Sequence, residues 1–221
     1  MLNNIDACIF DMDGTIVDSM WVWGQVDIDY LSKHGHEVPK DMGKEIEGLS
    51  MREVAFYFKN RFNIDDDIDT IINDWNDMAL FKYKNSIKLK PNVKEFLIHL
   101  KNKGIKTGLF TSNSLVLAKA ALKANGILEY FDAITAGCSD IKGKPEPDGY
   151  IITANKLNVK CENCLVFEDL IKGIMAGKNA NMKTCAVRDD YSMYQDEEKR
   201  KLADYYIEDY YEIFKNWKRI I

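Results

Sequence analysis

What most constrains this chain is a four-residue apolar run, Ala7-Cys8-Ile9-Phe10, that ends in two carboxylates one residue apart, Asp11 and Asp13, followed at once by Gly14. A short, bounded run of this kind reads as a strand buried in a parallel sheet. Acids at its C-terminal end fall where open α/β sheets bind ligands. Asp11 reads as the last strand residue, Asp13 as the point where the chain turns away, and Gly14 as the residue that allows the sharp turn. Two acids so close repel unless a proton or a cation separates them. The simplest cation is Mg²⁺, which takes a few carboxylates together with phosphate oxygens and water. The plain alternative is an acidic turn after a buried strand, and the rest of the chain weighs against it.

Beyond this point the periodicity changes from strand to helix. Asp18 or Ser19 can cap a helix through Trp21, Val22, Val26, Ile28 and Leu31 to about Gly35. Apolar residues at helical spacing recur over Arg52 to Arg61, and again after Asp65-Asp66-Asp67 through Ile68, Ile71, Ile72, Trp75, Met78 and Phe81. Residues 17–85 therefore read as an all-helical insert. From there strands and helices alternate. Pro91 opens a helix that Gly104 closes, and strands are expected over Ile105 to Thr111, Ala133 to Ala136, Cys164 to Phe167, Thr184 to Val187 and Tyr205 to Ile207, the last before an amphipathic tail helix. Helices are expected over Ser114 to Asn125, Pro147 to Leu157 and Leu170 to Asn179. Such alternation implies an α/β, Rossmann-like core, a parallel sheet flanked by helices over 1–16 and 86–221, with a small helical domain over 17–85.

Composition narrows the partners. A net charge of -5 with both signs mixed argues against nucleic acid and against a membrane surface. No run of 18 apolar residues is present, so no transmembrane helix is expected. Met1 to Asp6 lacks a basic n-region, and no signal peptide is expected. Five cysteines without a regular framework fit a reducing cytosol, and the lone Cys161-x-x-Cys164 pair lacks the second half of a zinc site. His34, His36 and His99 read as surface or insert histidines. A cytoplasmic monomer or weak dimer is expected.

Four groups fall at or just after predicted strand ends: Asp11 and Asp13; Thr111-Ser112-Asn113; Lys144, in the loop from Asp140 to Pro147; and Glu168-Asp169. In a parallel sheet these ends point the same way, so two acids, a hydroxyl cluster, one lysine and two further acids converge on one crevice. Singly, each has a plain reading, such as a helix cap for Thr-Ser-Asn. Four in order are hard to explain as chance.

Taken together, Asp11-Met12-Asp13-Gly14-Thr15, Thr111, Lys144 and Glu168-Asp169 resemble the four motifs of the haloacid dehalogenase-like hydrolases, and the helical insert resembles that family's small cap of the first type. The Gly48-Leu49-Ser50 loop and the run Glu168-Asp169-x-x-x-Gly173-Ile174-x-Ala176-Gly177 look like its β-phosphoglucomutase-like branch. The resemblance implies Asp11 as nucleophile, forming an aspartyl-phosphate, and Asp13 as general acid and base. It implies Mg²⁺ on Asp11, the Asp13 carbonyl and Asp169 with Glu168 nearby, and a phosphate held by Thr111, Ser112 and Lys144. It also implies hinges near Thr15–Val17 and Tyr83–Lys88 that let the cap close. Asp13 is absent from the family's dehalogenases, so its presence favours phosphoryl transfer.

The expected activity is Mg²⁺-dependent hydrolysis of a small phosphate monoester, with a sugar phosphomutase as the alternative. The family's mutases carry a cap histidine where this chain has Trp23, and Met51 and Trp75 fall about where they carry Arg and Lys. Trp21, Trp23 and Trp75 either pack the cap or line an apolar specificity pocket, and Trp23 is the best candidate for the pocket.

Overall fold

The computed structural model describes residues 1–47, 49–137 and 141–214. Gly48, Asp140 and the tail beyond Phe214, to which the sequence reading assigned a branch motif, a loop position and most of a helix, lie outside the described residues. In chain order the elements are β1 (Ala7–Phe10), β2 (Val17–Asp18), α1 (Met20–Lys33), α2 (Met42–Ile46), α3 (Met51–Phe62), α4 (Ile68–Asn85), β3 (Lys88–Leu89), α5 (Val93–Asn102), β4 (Lys106–Thr111), α6 (Leu115–Ala124), β5 (Ala133–Ala136), α7 (Asp148–Leu157), β6 (Cys164–Glu168), α8 (Ile171–Asn179), β7 (Lys183–Val187), α9 (Asp196–Leu202), β8 (Tyr205–Ile207) and α10 (Tyr211–Phe214).

The six strands other than β2 and β3 form one parallel sheet in the order β5-β4-β1-β6-β7-β8. The order reverses at β1, the topological switch point where such sheets open a crevice. Alternation along the strands divides the core. Cys8, Phe10, Leu165 and Phe167 face one layer with Phe96, Leu100 and Phe214. Ala7, Ile9, Cys164 and Val166 face the other, with Tyr150, Ala154 and Ala176. A side-chain period of two on strands covered on both faces requires this.

Helices α1 to α4 make the cap. Their apolar stripes meet around Trp75, which packs edge-on to Tyr30 and Phe58 at 5.6 and 4.8 Å. Ser50 caps α3 in a box with Glu53, and Asp67 caps α4 by accepting from the Thr70 amide at 2.8 Å.

Several boundaries differ from expectation. β1 stops at Phe10, although the Asp11 amide still donates to the Phe167 carbonyl at 3.0 Å. α5 starts at Val93 rather than Pro91, because Asn92 takes a left-handed conformation as N-cap and its amide group bonds Asp209. β2 and β3 form a separate two-stranded antiparallel ribbon that the sequence did not disclose. His99 is buried, stacked between Phe96 and Phe214, rather than on the surface.

Candidate active site

The crevice above β1 collects the side chains of four strand ends. Asp11 lies directly after β1, buried, and its Oδ1 accepts from the Lys144 Nζ at 2.5 Å. Lys144 is only 4% exposed and comes from the loop between β5 and α7. The same ammonium donates to Glu168 at the end of β6, and it lies over the rings of Phe110 and Tyr150 at 5.3 and 5.7 Å. Burial opposes a charge on Lys144, yet the Asp11 and Glu168 carboxylates hold its ammonium above the usual lysine range. Burial pushes the Asp11 carboxyl up to about 8 against the pull of Lys144, with Glu168 and Asp13 adding to the rise. The lysine loop fits closely against the cap: a Cβ on Gly143 would stand 2.3 Å from a Glu53 oxygen and 2.6 Å from the Ser50 amide.

Asp11, Glu168 and Asp169 offer carboxylate oxygens all within 4.8 Å of one another. The Glu168 oxygens are engaged by Lys144, by the Tyr150 hydroxyl at 3.2 Å and by the Leu170 amide at 3.0 Å. Asp169 Oδ1 accepts from the Thr15 hydroxyl at 2.8 Å, whereas its Oδ2 is buried with no partner among the described residues. A buried carboxylate oxygen left in this state is costly unless a cation meets it. Gly14, at φ +77°, makes the approach possible, since a Cβ there would lie 2.4 Å from that oxygen. An all-oxygen acidic group with an orphaned oxygen fits a hard divalent cation such as Mg²⁺.

Asp13 is surrounded by neutral donors. Its Oδ1 accepts from Ser19 at 2.5 Å and from the Tyr83 hydroxyl, and its Oδ2 accepts from the Asn113 amide at 3.2 Å. Burial holds its carboxyl above the usual range despite these donors. Tyr83 in turn accepts from the Trp23 indole N–H and from Asn113, both at 2.9 Å. Ser19, Tyr83 and Asn113 as partners of Asp13 were not legible in the sequence, because the contacts span 6, 70 and 100 residues.

A cavity of about 340 Å³ opens onto Asp11, Asp13, Thr111, Ser112, Asn113 and Lys144 from below, and onto Trp23, Trp75 and Met51 from the cap. The buried Thr111 hydroxyl accepts from the Asn113 amide at 3.0 Å, which leaves its own proton for a ligand. Trp23 and Trp75 line the cavity, but Trp21 does not; it stands exposed under the Lys82 ammonium. On the far side the cap is clasped to the core. Glu47 accepts from the Tyr194 hydroxyl at 2.8 Å and the Gln195 amide at 2.6 Å, and the Gln195 oxygen accepts from the Ile171 amide, two residues past Asp169. The Ser192 hydroxyl donates to the Asp169 carbonyl at 2.9 Å.

Comparison with known proteins agrees with this picture. The family described as haloacid dehalogenase-like hydrolase matches residues 5–181. A phosphorylated carbohydrates phosphatase of Thermotoga maritima is 28% identical over 81% of this chain and 83% of its own. Hexitol phosphatase B of Escherichia coli is 27% identical, covering 82% of each. Among solved structures, CbbY of Rhodobacter sphaeroides in complex with phosphate superposes with a TM-score of 0.83 at 22% identity, over 93% of this chain and 95% of that one. A β-phosphoglucomutase of Clostridium difficile gives 0.80 at 25% identity, over 97% and 96%.

Proposed function

The chain belongs to the haloacid dehalogenase-like hydrolases, and from that premise we propose that it is a Mg²⁺-dependent phosphatase hydrolysing a small phosphate monoester. The observation that carries the reading is the pairing of two carboxylates with opposite surroundings. Asp11 bonds a buried ammonium, while Asp13 is set among neutral hydroxyl and amide donors. A carboxyl on an ammonium beside a carboxyl among neutral donors suits a nucleophile next to a group that passes a proton.

In this reading an Asp11 oxygen attacks phosphorus as the bond to the alcohol breaks. Asp13 gives its proton to the departing oxygen. Then Asp13, now a carboxylate, takes a proton from a water that attacks the aspartyl-phosphate, which frees inorganic phosphate and restores Asp11. Lys144 holds a phosphate oxygen as a point charge, and the Thr111 hydroxyl and Ser112 amide hold the others. Asp11, Asp169 and the Asp13 carbonyl would hold the cation, with Glu168 fixing Lys144 beside it. When bound, the cation supplies the positive charge that keeps Asp11 ionised and shields it from an anionic phosphate. The cap, over residues 17–85 between the hinges, excludes water and selects the alcohol.

The relatives named as carbohydrate and hexitol phosphatases support the reaction class. A phosphomutase is the second reading, favoured by Lys40 and Lys44 on the cavity wall, where a second phosphate could rest. Release of phosphate from a panel of esters, with Mg²⁺ and with EDTA, beside Asp11→Asn tests the proposal. Metal-dependent turnover absent from Asp11→Asn is expected. Turnover by Asp11→Asn at the native rate, or none by the native protein from any ester, would overturn it.

A further inference from the structure

The cap wall of the cavity is specific in what it offers. Met20, Trp23, Gly24 and Asp27 all line it, at positions i, i+3, i+4 and i+7 of α1, so they form one face of the helix. Trp23 is the residue tied through Tyr83 to Asp13. Asp27 stands one turn further along the helix than Trp23, about 6 Å along the axis.

Gly24 is the first clue. It lies inside a helix of 14 residues, where glycine costs roughly 0.5–1 kcal/mol relative to alanine. Its φ is not left-handed, and a Cβ built on it meets nothing within 4 Å among the described residues. Neither conformation nor packing asks for glycine here; its bare face gives room inside the cavity. Asp27 is the second clue. Its carboxyl makes no hydrogen bond or ion pair among the described residues, and burial raises it toward neutrality. The other charged groups on the wall are accounted for differently: Glu47 is held by Tyr194 and Gln195, Lys44 lies over the Tyr194 ring at 5.6 Å, and Lys40 is exposed. Trp75, 2% exposed, also lines the cavity, and its indole N–H has no partner among the described residues.

The wall between these polar points is apolar: Met20, Ile46, Leu49, Met51, Val54 and Leu170. A polyol pressed there would leave hydroxyls on all sides facing carbon, and each buried hydroxyl without a partner is costly. A flat heterocycle differs, because its faces are apolar and its donors and acceptors lie on its edge. The cavity, at the small end of ligand sites of roughly 300–1,000 Å³, has room for one such ring.

We infer that the alcohol part of the substrate is a nitrogen heterocycle with ring N–H donors, of the nucleoside monophosphate class, lying against Trp23 over Gly24 with its N–H edge on Asp27. The inference rests on the phosphatase reading for the phosphate end only.

Two measurements test it. In the first, kcat/KM is compared for GMP, sorbitol 6-phosphate and ethyl phosphate. GMP is expected to exceed sorbitol 6-phosphate, and the GMP to ethyl phosphate ratio is expected to fall at least fivefold in Gly24→Val and in Asp27→Asn, the latter keeping the shape of the side chain. A smaller fall in both, or a preference for sorbitol 6-phosphate, overturns the proposal. In the second, free guanosine is titrated into the Asp11→Asn protein and followed by tryptophan fluorescence. Saturable quenching, weakened at least fivefold by either added substitution, supports the subsite; no saturable change overturns it. If no ester is hydrolysed the phosphatase reading fails, and the guanosine titration decides the subsite by itself.

Discussion

The Tyr83 hydroxyl, from the last turn of a cap helix, donates to the Asp13 carboxylate while it accepts from the Trp23 indole N–H at 2.9 Å. A side chain of the cap thereby touches the carboxyl assigned to proton transfer. Tyr83→Phe removes that donor and takes from the half-buried Trp23 N–H its hydroxyl acceptor. Hydrogen bonds to charged groups contribute about 1.5–3 kcal/mol, so kcat is expected to fall tenfold or more. Because Tyr83 lowers the Asp13 pKa, the limb of the pH–rate profile set by Asp13 is expected to move to higher pH. Steady-state kinetics across pH check both. An unchanged profile would remove Tyr83 from the mechanism.

Lys144→Met takes away the cation that two buried carboxylates share. Breaking a buried ion pair from one side costs about 3–5 kcal/mol, so the variant is expected to lose activity and several degrees of Tm. Asp11, whose carboxyl burial raises and Lys144 lowers, can relieve the loss by taking up a proton, so the deficit should be smaller at pH 5 than at pH 8. Urea unfolding at the two pH values measures it.

Mg²⁺ is expected to raise Tm, and EDTA to lower it, without any substrate. A ligand at a hundred times its Kd adds about 2.7 kcal/mol to stability. Gly14→Ala should abolish the Mg²⁺ shift, because its methyl would lie 2.4 Å from the free Asp169 oxygen and the backbone there is left-handed. Thermal scans with and without metal read this independently of turnover.

Asp27 is expected to give the stability a pH dependence. Burial raises its carboxyl from 3.8 to about 7 in the folded chain. Between those values the folded state binds the extra proton, so this group's contribution falls as pH rises from about 4 to 7. Asp27→Asn is expected to flatten that slope. Chemical denaturation of both proteins over this range measures the difference.

Much of the core could be read from the chain because its strands are apolar runs and four of them are followed by a polar group. The stretches Ala133–Ala136 and Tyr205–Ile207 are strands as expected. Asp11, Lys144 and Asp169 meet because a parallel sheet aligns its ends. What stayed hidden had no local signal. β2 and β3 are two residues each, too short for any periodicity. The partners of Asp13 come from the start of α1, from α4 and from the turn after β4, and Gln195 links Glu47 to Ile171 across three segments. Trp21 and Trp23 are chemically alike and two positions apart, yet a helix turns them to different sides, one into solvent and one into the cavity.

The ribbon of Val17–Asp18 on Lys88–Leu89 brings both ends of the helical insert side by side. To the sheet, the whole cap is a loop whose ends are already joined. Closure entropy grows only as the logarithm of loop length, about 0.6 kcal/mol for each doubling. The helical insert can therefore lengthen, shrink or be exchanged at little thermodynamic cost to the parallel sheet.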